Sequence, residues 1–269
     1  MLIIFYFCPK NNLPYRYFIE LSFKGTNYHG WQVQPNASTV QELLGNALSA
    51  LLREKPDITG AGRTDAGVHA EQFIAHFDCS LKGLDRDKNL VFRLNRILPR
   101  DIAIKKIFQV HPRAHSRFDA ISRTYKYKIA RKKNPFIYDL SWYIYGDMDM
   151  EKMNSAAALM KNYTDFTSFS KLHSGTKTTN CRIMVARWEQ EGDCLVFTIR
   201  ANRFLRNMVR AIVGTMIGVG RGKMSVEDFC SIIEKKDRSL AAASAPAKGL
   251  FLTSIEYPGR ILYGSRCEK

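Results

Sequence analysis

GAGRTDAGVHA, residues 60–70, places three glycines around one arginine and one aspartate. Glycine in a loop either turns the chain or lets another group approach the backbone closely. The functional interpretation is that Asp65 acts as a nucleophile or base in a loop near a strand end. The structural alternative is a tight turn closed by a local ion pair between Arg63 and Asp65.

The glycines of this loop do not match the common phosphate-binding motifs. In a dinucleotide-binding motif the third glycine would stand at position 65, where a carboxylate would repel a pyrophosphate. The loop also lacks the Lys-Ser/Thr pair of a P-loop and the carboxylate array of a calcium site. A nucleotide-dependent enzyme is therefore disfavoured.

The composition predicts a folded, strongly basic protein. Hydrophobic residues make up 45% of the 269 residues, which is enough for an ordinary core. Lys and Arg total 41 against 25 Asp and Glu, a formal net charge of +16. Because such an excess repels itself in a compact fold, a polyanionic partner is expected. Nucleic acid is the first candidate and an anionic membrane surface is the second.

The cysteines and the N-terminus predict a cytoplasmic protein. Six cysteines stand at positions 8, 79, 181, 194, 230 and 267, without the spacing of a zinc site. Idle thiols in a reducing compartment are the simplest interpretation, and no metal is expected. The apolar start MLIIFYFC, residues 1–8, has no basic leader or cleavage site and is too short to span a bilayer.

The hydrophobic pattern of the first half predicts three strands and two helices. A helix should start at Ser38, because Gln41 follows at the spacing of a capping box. Its apolar residues recur at helical intervals, so we expect this helix to pack one face against the hydrophobic core. The other elements are a strand at 15–23, a strand in which Phe73, Ala75 and Phe77 share a face, a helix at 87–97 and a strand at 102–110.

The second half has a similar outline. Asp149 should cap a helix to about residue 160, and other helices are expected at 204–219 and from Ser225. Strands are predicted at 124–130, 141–145 and 251–257, with a hairpin formed by 182–190 and 194–201. The count is about eight strands, largely antiparallel, in the α+β class. Pro112 favours a division into an extension at 1–14 and two similar halves at 15–112 and 113–269.

Two basic segments carry the candidate nucleic-acid contacts. Residues 113–133 contain eight Lys or Arg and one acid, and the tyrosines at 125 and 127 alternate with lysines along a strand. Such a strand is either an ordinary sheet with inward tyrosines or a surface for phosphates and stacked bases. The second segment is NRFLRNMVRAIVG, residues 202–214. Our candidate RNA-binding residues in these segments are His115, Arg117, Arg123, Tyr125, Lys126, Arg203 and Arg206.

The arginines of the second segment need an anion. Arg206 and Arg210 stand four residues apart, a spacing at which like charges on a helix repel. No acidic residue occurs between Cys194 and Glu227 to relieve this repulsion locally. The compensating anion therefore comes from elsewhere in the fold, with Asp65 as one candidate, or from RNA phosphates.

Taken together, these motifs resemble those of a known family, the TruA-type tRNA pseudouridine synthases (the pseudouridylate synthase I family). The resemblance extends from about residue 15 to residue 258 and rests on motifs in the family's order. They are GTNYHGWQVQPNASTVQ, GAGRTDAGVHA, HSRFDAISRTYKYKI, DFTSF, NRFLRNMVRAIVG and APAKGLFL. Lys24 departs from the family pattern, which often has an acid before the Gly-Thr of the first motif.

The resemblance implies an enzyme that isomerises uridine to pseudouridine in the anticodon stem-loop of tRNA, at nucleotides 38, 39 or 40. It implies two α+β halves that share a sheet around a central basic cleft, a homodimer, and no metal or cofactor. Asp65 takes the position of the catalytic aspartate and nucleophile, and Arg63 that of a second motif arginine. Tyr125 takes the position of the active-site tyrosine, and Arg210 that of the arginine that pairs with the aspartate.

Two questions stay open from the sequence. Asp65 could attack the sugar or the base covalently, or could remove a proton from the ribose. A non-catalytic tRNA-binding or RNA-folding protein on the same scaffold is the alternative function. The basic and aromatic segments would persist in such a protein, but Asp65 would have no reason to be there.

Overall fold

Nine strands and five α-helices, with seven short 3-10 helices, make up the regular structure in the computed structural model, which describes residues 14–171 and 178–262. The strands are β1 (Tyr15–Phe23), β2 (Ile58–Gly60), β3 (His69–Cys79), β4 (Ile102–Gln109), β5 (Ser122–Ala130), β6 (Trp142–Tyr143), β7 (Ile183–Glu191), β8 (Cys194–Ala201) and β9 (Leu250–Glu256). The helices are α1 (Val40–Leu52), α2 (Lys88–Ile97), α3 (Met150–Leu159), α4 (Met208–Gly220) and α5 (Val226–Lys235).

All nine strands belong to one sheet. Its order is β4-β1-β3-β9-β5-β8-β7, with β2 beside β3 and β6 beside β5. The pairs are antiparallel except β3 with β9 and β5 with β6, which are parallel. The α+β class is thus confirmed. The sheet has one strand more than expected, and the strand predicted at 141–145 is reduced to two residues.

The last strand joins the two parts of the sheet. β9 lies between β3 and β5, pairing in parallel with β3 through His69 and Ala70 and antiparallel with β5. His69 adds a second link, because its Nδ1 accepts a hydrogen bond from the Gly25 amide and its Nε2 lies 3.1 Å from the Lys248 carbonyl. The sheet is therefore continuous from its first edge to its last.

Two hydrophobic cores lie along this sheet. One is built on β1, β3 and β4 with α1 and α2, and it takes in Leu252 and Ile255 of β9. The other is built on β5, β7 and β8 with α3, α4 and α5, and it takes in Leu250. The division between residues 112 and 113 stays a prediction. The extension at 1–14 lies, apart from Pro14, outside the described residues.

The helix ends follow the capping chemistry in the sequence with two corrections. Asp149 and Ser225 cap α3 and α5 as expected, and Ser225 forms a full capping box with Asp228. The capping box predicted for Ser38 and Gln41 is wrong: Thr39 caps α1 by accepting from the Glu42 amide. The helix predicted from residue 204 begins at Met208 instead.

The described helices include none that is both long and apolar enough to cross a membrane.

Candidate active site

The loop that carries Asp65 is held between β2 and β3. These strands pair from Ile58 opposite Phe77 to Gly60 opposite Ala75, so the loop projects from the end of a hairpin. The amide of Val68 donates to the Asp65 carbonyl, which closes the turn. Gly67 has a φ of +77°, a conformation that L side chains rarely adopt.

A second loop packs against this turn at close range. A Cβ atom on Gly30 would lie 2.2 Å from the Thr64 carbonyl oxygen, so only glycine fits there. The amide of Trp31 donates to the same carbonyl, and the amide of Gly67 donates to the carbonyl of Tyr28. The backbone around Asp65 is thus fixed from two sides before any ligand binds.

Asp65 points at two arginines from the other half of the chain. Its Oδ2 is 3.3 Å from Nη1 of Arg210, and its Oδ1 is 3.8 Å from Nε of Arg206. The carboxylate is 25% exposed, so it is neither sealed in the core nor open to bulk water. Within the described chain Asp65 makes no ion pair with Arg63, and the local pair considered from the sequence is not formed.

Arg210 is positioned by backbone as well as by charge. It lies in the first turn of α4, where its Nε donates to the Ala245 carbonyl at 2.7 Å and its own carbonyl accepts from the Ala245 amide. Asn207, just before α4, has a φ of +67°. Arg206 therefore precedes the helix, and the predicted helical repulsion between Arg206 and Arg210 does not arise.

Tyr125 lies on β5 beside this ion pair cluster. Its ring is half-buried and meets the Phe204 ring edge-on, with the ring centres 5.1 Å apart. Burial raises the pKa of Tyr125 to about 12; the charge of Arg123 opposes this shift and the Asp65 carboxylate adds to it. The phenol therefore stays protonated at neutral pH. Tyr127, two residues on, is fully buried and donates to the Pro246 carbonyl, as inward packing predicts.

One large cavity, which we call the cleft, is lined by Asp65, Arg206, Arg210, Tyr125 and Phe204 among other residues. Its volume is about 1960 Å³, well above the range of about 300–1,000 Å³ typical of small-molecule pockets. Among the described residues that line it, Asp65 is the only acid. Eight basic residues line it: Arg63, Arg117, Arg123, Lys171, Arg203, Arg206, Arg210 and Arg238. A cleft of this size and charge suits a polyanion better than a metabolite.

Two of the candidate RNA-binding residues are not brought to the cleft. Lys126 pairs with Glu191 at 2.8 Å, on the face of β5 opposite Tyr125. His115 is half-buried and does not line the cleft; its Nδ1 accepts from the amides of Arg117 and Phe118. Arg117, Arg203 and Arg206, with Arg63, do line the cleft.

Arg123 lines the cleft, but its guanidinium is hydrogen-bonded to the protein backbone. It donates to the carbonyls of Ala61, Arg117 and Asn202 at 2.9, 2.6 and 3.0 Å. Burial lowers the pKa of Arg123. These three carbonyls belong to the Asp65 loop, the segment after β4 and the segment after β8, so Arg123 joins three walls of the cleft.

The sequence candidates leave out many residues of the cleft, among them two cations and one exposed aromatic ring. The cations are Lys171 and Arg238, which lie outside the two basic segments at 113–133 and 202–214. The ring is Phe118, which follows Arg117 within the first basic segment but is not among the predicted RNA-binding residues. An apolar residue in a strongly basic, loop-like stretch was the available signal.

The described residues offer no cluster of three or more His, Cys, Asp or Glu side chains able to hold a metal ion.

Comparisons with known proteins identify relatives that match most of the chain. A family model described as tRNA pseudouridine synthase matches residues 156–258. The protein named tRNA pseudouridine synthase A of Bacteroides fragilis is 54% identical over 247 residues, covering 91% of this chain and 98% of that one. The protein of the same name from Parabacteroides distasonis is 54% identical, covering 90% and 96%. That from Porphyromonas gingivalis is 52% identical, covering 90% and 97%.

Proposed function

The chain belongs to the tRNA pseudouridine synthase family, and from this premise we propose that it isomerises uridine to pseudouridine in tRNA. One observation carries the proposal: the described residues that line the cleft include eight cations and a single acid, Asp65, which contacts Arg210. A carboxylate repels phosphates, so it would weaken a surface that only bound RNA. A catalytic role for this carboxylate explains its presence in a cleft that otherwise attracts phosphates.

The reaction breaks the C1′–N1 bond and joins C1′ to C5 of the same base. One proton leaves C5 and one is gained at N1, so the composition and the oxidation state are unchanged. Cleavage develops positive charge on the sugar, which a nearby carboxylate stabilises as in glycoside hydrolysis. Asp65 either adds covalently to the sugar or the base, or removes a proton from the ribose. All three routes use the same carboxylate oxygens.

The other site residues have distinct proposed roles around Asp65. Arg210 orients the carboxylate, because one guanidinium contacts both Asp65 and a backbone carbonyl. Arg63 is exposed and lines the cleft, so its proposed role is contact with the substrate. Tyr125 presents a half-buried neutral ring on which an extruded uracil can stack, and its hydroxyl can take part in proton transfer at C5.

The uridine has to leave its stack to reach Asp65, which costs a few kcal/mol. Stacking on Tyr125 and phosphate contacts to Arg203 and Arg206 would offset that free energy. The family resemblance supports the anticodon stem-loop as the site of reaction, at nucleotides 38, 39 or 40. It also supports a homodimer, a cytoplasmic location and the division of the chain at residues 112 and 113, each as a further proposal.

The test uses an unmodified tRNA transcript labelled with tritium at C5 of its uridines. Isomerisation releases the C5 hydrogen to water, so we expect tritium release that depends on the protein. A matched transcript with cytidine at nucleotides 38, 39 and 40 should release none. Release from both transcripts would overturn the proposed nucleotides. Absence of release, with tight binding of the tRNA, would favour the non-catalytic RNA-binding alternative.

A further inference from the structure

Phe118 is an exposed aromatic residue at the cleft that core packing does not explain. Its relative exposure is 74%, and it lines the same cavity as Asp65. Its neighbour Arg117 is also exposed and lines the cleft. The chain thus presents a ring and a guanidinium side by side toward the space that the substrate fills.

The backbone beneath these side chains is rigid. Ser116 has no exposed surface, and its Oγ donates to the Thr59 carbonyl and lies 2.8 Å from Nδ1 of His76. Its carbonyl accepts from the Tyr257 hydroxyl. Arg123 donates to the carbonyl of Arg117. These bonds fix the segment from three directions, so little conformational entropy remains to be lost when a ligand contacts Phe118.

A supporting ring lies against Phe118. The His115 and Phe118 ring centres are 4.2 Å apart with an angle of 34° between the planes, and His76 meets His115 edge-on at 4.6 Å. Burial and the charge of Arg16 lower the pKa of His115, so its ring is uncharged at neutral pH. The Arg117 guanidinium carbon is 5.7 Å from the Phe118 ring centre, a distance that places a cation beside the ring.

We propose, resting on the function proposed above, that Phe118 stacks on a nucleobase next to the target uridine while Arg117 contacts the adjoining phosphate. A base has a π-face that pairs with an aromatic ring whatever its sequence, and a phosphate pairs with a guanidinium. The target uracil itself goes to Tyr125, whose half-buried ring lies beside Phe204 and the Asp65 cluster. Phe118, being far more exposed, meets a base that stays at the mouth of the cleft.

The affinity of Phe118 variants for an unmodified anticodon-arm RNA tests the contact. The measurement uses an Asp65→Asn background, so that the RNA is not converted during the titration. We expect Phe118→Ala and Phe118→Leu to weaken binding by about 5- to 100-fold, and Phe118→Tyr to bind like the parent. Leucine keeps an apolar side chain without the ring, so it separates stacking from general apolar contact. Phe136, 90% exposed and away from the cleft, supplies the matched control Phe136→Ala.

A double-mutant cycle identifies the base. Parent and Phe118→Ala proteins are titrated with RNAs that carry an abasic nucleotide on one side or the other of the target uridine. We expect the two proteins to bind one of these RNAs equally, because the ring has lost its partner. An equal loss on the intact and both abasic RNAs, or no loss at all, would overturn the proposal. Tritium release by the unaltered protein is measured in parallel, so a failure of the proposed function is seen separately.

Discussion

Asp65 and Arg210 are 145 residues apart in the sequence, yet Oδ2 of Asp65 lies 3.3 Å from Nη1 of Arg210. Asp65 comes from the loop after β2 and Arg210 from the first turn of α4, so the pair forms only when both parts of the sheet are assembled. The Nε of Arg210 is at the same time bound to the Ala245 carbonyl. The proposed catalytic centre therefore depends on one guanidinium held at two points.

We expect Arg210→Lys to reduce the rate of pseudouridine formation at saturating tRNA by roughly 100-fold. A lysine ammonium cannot reach the Asp65 carboxylate and the Ala245 carbonyl with the planar geometry of a guanidinium. Single-turnover kinetics gives this rate directly. Arg206→Lys is the matched control with a smaller effect, because Arg206 is 3.8 Å from Asp65 and 58% exposed. Equal losses for the two variants would argue against this role of Arg210.

We expect Arg123→Met to lower the free energy of unfolding by about 2–4 kcal/mol. The guanidinium satisfies carbonyls from three segments, and methionine leaves them without a donor in a partly buried place. Urea unfolding at constant pH measures the change. Lys132→Met, at a side chain that is 75% exposed, should change the free energy by less than about 0.5 kcal/mol. Equal free energies of unfolding for the two variants would contradict a stabilising role for the Arg123 contacts between the cleft walls.

We expect the protein to lose stability as the pH falls below about 6.5. Burial lowers the pKa of His76 to about 4 in the folded protein, from an ordinary value of 6.5, aided by the charge of Arg16. The stabilisation is thus present above pH 6.5 and is lost as the pH falls toward 4. Between about pH 7.5 and 5.5 this histidine accounts for about 1 kcal/mol of unfolding free energy.

His76→Gln tests that assignment, because glutamine can still contact Ser116 but does not titrate. Urea unfolding of both proteins at the two pH values should show a shallower pH dependence in the variant. Burial also lowers the pKa of His69, so some pH dependence in the same direction should persist in it. An unchanged slope would show that His76 is not the titrating group.

We expect tRNA affinity to fall steeply as salt rises, because the cleft cations displace counterions from phosphates. Arg203→Ala should reduce the slope of log Kd against log salt by about 1. Lys152→Ala, at a residue that pairs with Asp149 away from the cleft, should leave the slope unchanged. Filter binding at several salt concentrations measures both. A flat response of the unaltered protein between low and moderate salt would contradict the electrostatic account.

Local chemistry in the sequence predicted much of the fold. The caps at Asp149 and Ser225 and the β7–β8 hairpin follow from short-range patterns, and the structure confirms them. The absence of acids near Arg206 and Arg210 predicted an anion either from elsewhere in the fold, with Asp65 as one candidate, or from RNA phosphates. In the structure Asp65 lies near both arginines.

Other features carry no local signal. The parallel pairing of β3 with β9 joins segments about 180 residues apart, and nothing in either strand specifies the partner. The positive φ of Asn207, which delays the start of α4, depends on packing around it. The sequence predicts Arg123 as an RNA-binding residue. Its role in joining separate segments carries no local signal, because the three carbonyls that it contacts converge only in the folded chain.

Turnover by Asp65→Asn is the measurement that tests the central claim most directly. Asparagine keeps the size and one carbonyl oxygen of the side chain, but it is neither a nucleophile nor a base. We expect tritium release from C5-labelled tRNA to fall by at least about 1,000-fold, while the Kd for tRNA stays within about threefold of the unaltered protein. Release within about tenfold of the unaltered rate would contradict the catalytic role of Asp65 and with it the proposed mechanism.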